Sequence, residues 1–224
     1  MPLGADNINV LDTFFNLSQL VVDLLGKQTI NEMWQDSTVL PNYSVGLLLS
    51  HITSSFLRVE TVSESKAPDN FIEVSYEYYY GNDVLRDPDG YEDGISIVML
   101  KESQLKVESG PDQIRRSLEL SSDRLRSKLN KDVLDEFIAV VSVKNGAAKL
   151  ADFMRTRITD IVVHLDDLFV TSKDLGTFDQ IDDRAVDIAL YVCQSIVLAH
   201  YGKTDLLRSV ARQERCNFAK IVAL

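Results

Sequence analysis

The amino-acid sequence predicts an α+β fold: an N-terminal helix, a small, mainly antiparallel sheet with a protruding acidic hairpin, and a C-terminal half of antiparallel helices. Apolar residues recur at helical spacing over residues 7–25, switch to strict alternation over residues 71–80, and return to a 3.6-residue period from residue 112 onward. At 224 residues and 45% hydrophobic content the chain can bury a sizeable core. Its ten glycines and five prolines are scattered singly, so no flexible linker separates the halves 1–110 and 111–224, which are expected to fold as one cooperative unit.

In the first helix Val10, Phe14, Leu17, Val21 and Leu24 form one apolar row and Leu11, Phe15, Leu20 and Leu25 a second, with Gly26 as the C-terminal stop. A face this wide must be covered on two sides, inside the domain or by another copy of the chain. Phe14, Leu17 and Val21 are therefore candidate anchors of an interface. Thr29 and Glu32 have the spacing of a capping box that would open one short further helix. Residues 45–53 read as helix or strand, and "FLRVETV" from about residue 55 as a strand. In "FIEVSYEYYY", Ile72, Val74, Tyr76, Tyr78 and Tyr80 share one face of a strand. "GISIVMLK" is its natural partner across the acidic loop, and "QLKVES" a possible edge strand before Gly110 and Pro111.

The second half carries three apolar stripes: Ile114, Leu118, Leu125, Leu129, Val133, Phe137 and Val140; Leu150, Met154, Ile158, Ile161, Leu165 and Leu168; and Ile181, Ala185, Ile188, Val192, Ile196 and Ala199. A last helix covers roughly 204–222. The short breaks "KNGA", "SKDLGTFD" and "YGKT" imply antiparallel neighbours.

The net charge of −11 argues against wholesale binding of nucleic acid or anionic membrane. No basic, uninterrupted apolar leader and no run of 18 apolar residues occurs, so a cytoplasmic protein without a membrane anchor is expected. Cys193 and Cys216 have no metal-ligand spacing and suit a reducing compartment. Charge is polarised: residues 60–93 hold ten acidic against two basic side chains, whereas residues 112–131 hold six basic against three acidic.

Each candidate site has a bland competitor. In the acidic loop, Asp83, Asp87, Asp89, Glu92 and Asp93 fit neither register of a calcium-binding EF-hand, and Asp-Pro-Asp-Gly is turn chemistry. "YGKTD" resembles the end of a phosphate loop, but Val197 stands where that loop requires glycine, so Gly202 reads as a helix cap. On the helix "RITDIVVHLDD", Arg157, Asp160, His164 and Asp167 lie three or four apart, and Asp179, Asp183 and Asp187 repeat at four. Asp160, His164, Asp167, Asp183 and Asp187 are thus the metal ligands available to a hydrolase. Both rows are expected on wet helix faces, so no metal or other cofactor is assigned. His51, in an apolar run, reads as a core or edge residue, and no Gly-x-Ser-x-Gly elbow surrounds any serine.

The basic helix with Arg115, Arg116, Arg124 and Arg126 lacks interleaved aromatics for nucleic-acid stacking, and Asp112–Arg116 and Lys128–Asp132 can pair within it. Absence of catalytic motifs, polarised charge and the wide first helix point to a non-enzymatic, self-associating scaffold. Asp87 and Asp89 on one copy would meet Arg115, Arg116, Arg124 and Arg126 on the next. The alternatives are a metal-dependent hydrolase and a nucleic-acid accessory protein.

Overall fold

A computed structural model describes residues 10–84, 103–140 and 143–211. Helices dominate: α1 Val10–Leu25, α2 Gln28–Met33, α3 Val45–Ser63, α4 Tyr76–Val84, α5 at 103–107, α6 Gly110–Lys128, α7 Lys131–Leu134, α8 Leu150–Thr171 and α9 Asp183–Ala211. The sheet is short and mixed. β1 (Ile72–Glu73) pairs parallel with β3 (Gly146–Lys149), which pairs antiparallel with β2 (Phe137–Val140). The α+β class holds in its coarse form, with helix far outweighing strand.

Helix α8 is the hub, packing against α1, α3, α4 and α9, while α6 covers α1 and α3. Both apolar rows of α1 are needed because its neighbours approach from more than one side. Phe14, Leu17 and Val21 are essentially inaccessible, and Phe14 meets Phe56 of α3 at 5.1 Å between ring centroids. The width of the α1 face is therefore accounted for inside one chain. Trp34 packs on α3 at Gly46 and its indole N–H donates to the Val107 carbonyl at 3.3 Å. A second, smaller core of Val74, Tyr76, Tyr79, Tyr80, Val140, Ala148, Val192 and Ile196 joins the sheet to α4 and α9.

Several strand expectations are overturned. Residues 55–62 are helical, because Ser44 caps α3 by accepting the Leu47 N–H at 3.2 Å, and Leu48, Ile52, Phe56 and Val59 then fall on one buried face. Only Ile72 and Glu73 of the tyrosine stretch are strand. From Tyr76 the chain is helical: Tyr76, Tyr79 and Tyr80, at helical spacing, are buried, while Tyr78 is 56% exposed. Residues 103–107 are helical rather than an edge strand. Conversely, Phe137 and Val140, assigned to a helical stripe, belong to a hairpin that turns at Asn145, whose φ is +57°. The tip of the acidic loop with Asp87 and Asp89, the partner strand "GISIVMLK", Cys216 and the end of the last helix lie outside the described residues.

The break foreseen at Gly202 is present: its φ of +79° interrupts α9. Between Asp183 and Arg208 this helix is long and apolar enough to cross a membrane, with a mean hydropathy of 1.3. Its inner face packs on α8 and α4 while only 22% of the stretch is buried, and length and composition are the only criteria it meets.

Candidate metal centre between helices α3 and α8

Helices α3 and α8 are held together by apolar rows that include Leu48, Ile52 and Phe56 on one side and Ile158, Ile161 and Leu165 on the other. The polar row beside that seam is drawn in with it. Arg157, Asp160, His164 and Asp167 were expected on a wet face of α8. Instead their side chains keep 9%, 15%, 17% and 21% exposure. The reason is that α8 has neighbours on several sides, so its polar row has no solvent face of its own.

His51 and Ser55, one turn apart on α3, face this row. The Ser55 hydroxyl donates to Asp160 Oδ2 at 2.5 Å, and His51 Nε2 lies 3.9 Å from the same oxygen. His164 Nε2 stands 3.8 Å from Asp160 Oδ1, and its Nδ1 is 3.0 Å from Asp167 Oδ2. Arg157 Nη1 lies 3.6 Å from Asp160 Oδ2, with its guanidinium over the rings of Tyr80 and Phe153 at 5.3 and 5.5 Å. The two imidazole rings meet edge to face at 4.8 Å.

Charge in this network follows from burial and neighbours. Burial opposes ionisation of Asp160, but Arg157, His51, His164 and the Ser55 hydrogen bond outweigh it and hold the carboxyl well below the usual range. Burial pushes His51 down to about 4, with the charges of His164 and Arg157 acting in the same direction against Asp160. Burial also disfavours the charged form of His164. There the Asp167 hydrogen bond and the Asp160 and Asp167 carboxylates prevail and raise it. The Tyr80 phenol, buried beside Asp160, is raised far above the ordinary tyrosine value and stays neutral.

One ligand atom each from His51, Asp160 and His164 lies within 4.8 Å of the others, which makes them the set able to hold a metal ion among the described residues. A tetrahedral ion with bonds of about 2.1 Å spaces its ligands at roughly 3.4 Å, so side-chain shifts of about 1 Å would close the site. Two imidazoles and a carboxylate suit zinc or ferrous iron, not calcium or magnesium. Asp167 supplies the usual outer partner: by accepting from His164 Nδ1–H it would turn the Nε2 lone pair toward the ion.

Of the sequence-derived ligands, the structure brings together Asp160 and His164, with Asp167 behind them. Asp183 and Asp187 are exposed at the start of α9 and join no such cluster. Asp183 lines instead a cleft of about 320 Å³ against α1, where Asn16 donates to Asp182 at 3.1 Å. His51, expected as a core or edge residue, is buried and in addition faces Asp160 and His164. Its signal was its place in "SVGLLLSHITSS", where a histidine and Ser55 one turn later give an apolar helix a polar seam.

The basic helix finds its partners within the chain. Arg124 pairs with Glu60, Lys128 with Glu64 at 2.5 Å, and Arg126 stacks 4.2 Å over the Phe15 ring. Arg115 pairs with Asp112 at 3.5 Å, so the expected Asp112–Arg116 and Lys128–Asp132 pairs are replaced, and Arg116 is exposed. Comparison with protein-family models, curated proteins and solved structures yields no match, so the geometry alone carries the assignment: a partly buried two-histidine, one-carboxylate cluster across α3 and α8.

Proposed function

We propose that this protein is a metal-dependent enzyme, with His51, Asp160 and His164 as ligands of one transition-metal ion. The observation that carries the reading is the convergence of those three ligand atoms within 4.8 Å from two different helices. Three protein ligands leave coordination positions open, which is the arrangement of a catalytic rather than a structural zinc site. Such an ion supplies Lewis acidity and lowers the pKa of bound water toward neutrality, so hydrolysis or addition of a small nucleophile is the reaction class. The chain's own contribution is to hold His51 neutral, keep Asp160 ionised, orient His164 through Asp167 and exclude bulk water with Tyr80 and Phe153. Calorimetric titration of metal-stripped protein with zinc is expected to give one site of micromolar affinity or tighter, lost in both His51→Ala and Asp160→Asn. Millimolar affinity in the parent, or retention of the site in those variants, would overturn the assignment.

A second reading, self-association, draws support from the outer face of α9. Leu190, Leu198 and Tyr201 there are 52%, 38% and 40% exposed. It no longer draws on Phe14, Leu17 and Val21, which are spent in the core. Mass measurement in solution decides it: an oligomer that Leu198→Asp converts to monomer supports assembly, and a monomeric parent at high concentration ends it.

A further inference from the structure

We propose that the outer face of α9 binds the same face of a second copy of this chain, antiparallel, with the two-fold axis passing beside Gln194. This rests on the self-association reading above and adds its geometry. Before the break at Gly202, the exposed row of α9 includes Asp187, Leu190, Gln194, Leu198 and Tyr201. At about 100° per residue these positions fall within roughly 80° of arc, so they form one straight strip along the helix. Their spacing runs three, four, four, three, which reads the same in both directions about Gln194.

That symmetry fits one occupant. Two identical helices crossing antiparallel at Gln194 set Leu190 of each copy on Leu198 of the other. Gln194 then meets Gln194. A primary amide carries both donors and an acceptor, so two amides related by a two-fold axis satisfy each other, and a polar pair at the centre of an apolar strip fixes the register. Asp187 comes opposite Tyr201 of the second copy, whose hydroxyl can donate to a carboxylate. The leucine contacts do not depend on that last bond. Charge agrees with the direction: the start of α9, where Asp182, Asp183 and Asp187 outnumber Arg184, is brought toward the second copy's far end, where Lys203 and Arg208 outnumber Asp205. A parallel pair would set Asp187 against Asp187. A lipid surface is the competing occupant, because this helix is long and apolar enough to cross a membrane. Gln194 at the middle of the strip and Asp187 near its end would then enter hydrocarbon without partners, which is costly, whereas a second copy supplies a partner to each.

Cysteine cross-linking of the full chain, in a Cys193→Ser, Cys216→Ser background, reads the geometry, and each substituted position is exposed and outside the core. Under mild oxidation Gln194→Cys is expected to form a covalent dimer about tenfold or more faster than Ala199→Cys, which is exposed but off the strip. Leu190→Cys alone should not, because the two-fold axis separates the two copies of that residue by about 12 Å along the helices. Leu190→Cys mixed with Leu198→Cys should cross-link. Phosphatidylcholine vesicles should leave the parent in the supernatant, and pelleting with them would assign the strip to lipid and overturn the proposal. In a parent that sedimentation shows to be dimeric, Leu190→Cys linking to itself, or Gln194→Cys no faster than Ala199→Cys, would overturn the antiparallel pairing and leave self-association standing. A parent still monomeric at about 1 mM would instead remove the self-association reading, and this inference with it.

Discussion

Helix α3 meets α6 through Glu60 and Glu64 and meets α8 through His51 and Ser55, and these two contacts are built from similar residues to opposite effect. Toward α6 the acids pair with Arg124 and Lys128, which keep 51% and 47% exposure, and while Glu60 itself keeps only 16%, Glu64 keeps 61%. Water and salt screen the Glu64–Lys128 pair most, so it gains or loses little stability. Toward α8 a carboxylate, two imidazoles and a guanidinium share a space from which water is mostly excluded. There, each group's protonation depends on the others. The difference teaches that burial, rather than the presence of paired charges, marks where this molecule keeps its chemistry.

The strongest way to break the comparison is Asp160→Ala in the metal-free protein. It removes a carboxylate 3.6 Å from the buried Arg157 guanidinium and takes away the acceptor of Ser55. A loss of about 3–5 kcal/mol in urea unfolding is expected, because a largely buried ion pair loses one member and the Ser55 hydroxyl loses its acceptor. A loss under about 1 kcal/mol would mean that the inner network is as well solvated as the outer one.

A third face of α3 supplies an uncharged control. A Cβ on Gly46 would lie 2.4 Å from the Trp34 ring. Gly46→Ala should therefore cost about 1–3 kcal/mol through displacement of the indole, despite the better helix propensity of alanine. If it stabilises instead, the Trp34–Gly46 packing is looser than the inner charged seam, and rigidity on α3 is confined to the α8 side.

Acid sharpens the comparison further. His51 has its folded-state pKa depressed to about 4, so its contribution is present above 6.5 and is lost as pH falls from 6.5 toward 4. His164 has a raised pKa, so its contribution is complete below 6.5 and is lost as pH rises through the raised value. With metal removed, these two opposed slopes place a stability maximum near pH 6.5. The descent on the acid side reaches about 2 kcal/mol by pH 5. His51→Gln should flatten that side alone, as read by urea midpoints at a series of pH values; an unchanged acid slope would locate the effect elsewhere.

How much of this was legible beforehand depends on which physical signal each segment carries. The helical periods of α1, α6, α8 and α9 were strong because long apolar stripes leave no competing period. The tyrosine stretch failed because alternation and helical spacing share Tyr76 and Tyr80. Burial of Tyr79 against exposure of Tyr78 was decided by packing on α8 and α9, which local pattern does not contain. The β2–β3 hairpin was masked for a similar reason: "FIAVVSVKNGAAK" carries the Asn-Gly turn signal, but Phe137 and Val140 also continued the preceding stripe. At the centre, Asp160, His164 and Asp167 were visible as a row on one helix. Their burial and the addition of His51 depend on α3 crossing α8, a contact between residues more than a hundred positions apart.

The smallest expected effect tests the outer side of the comparison. Glu64 and Lys128 lie 2.5 Å apart, yet both are largely exposed, and holding two long side chains in one geometry costs entropy that offsets the attraction. A double-mutant cycle of Glu64→Gln and Lys128→Met should give a coupling of about 0–0.5 kcal/mol, vanishing as salt is raised to about 1 M. The same treatment should leave the Asp160 network almost untouched, because added ions do not enter the space between α3 and α8. If instead the Glu64–Lys128 coupling exceeded about 1 kcal/mol and survived high salt, α6 would be clamped to α3 as firmly as α8 is. Burial would then no longer separate the two faces, and the case for reading only the inner one as a functional centre would have to rest on its ligand geometry alone.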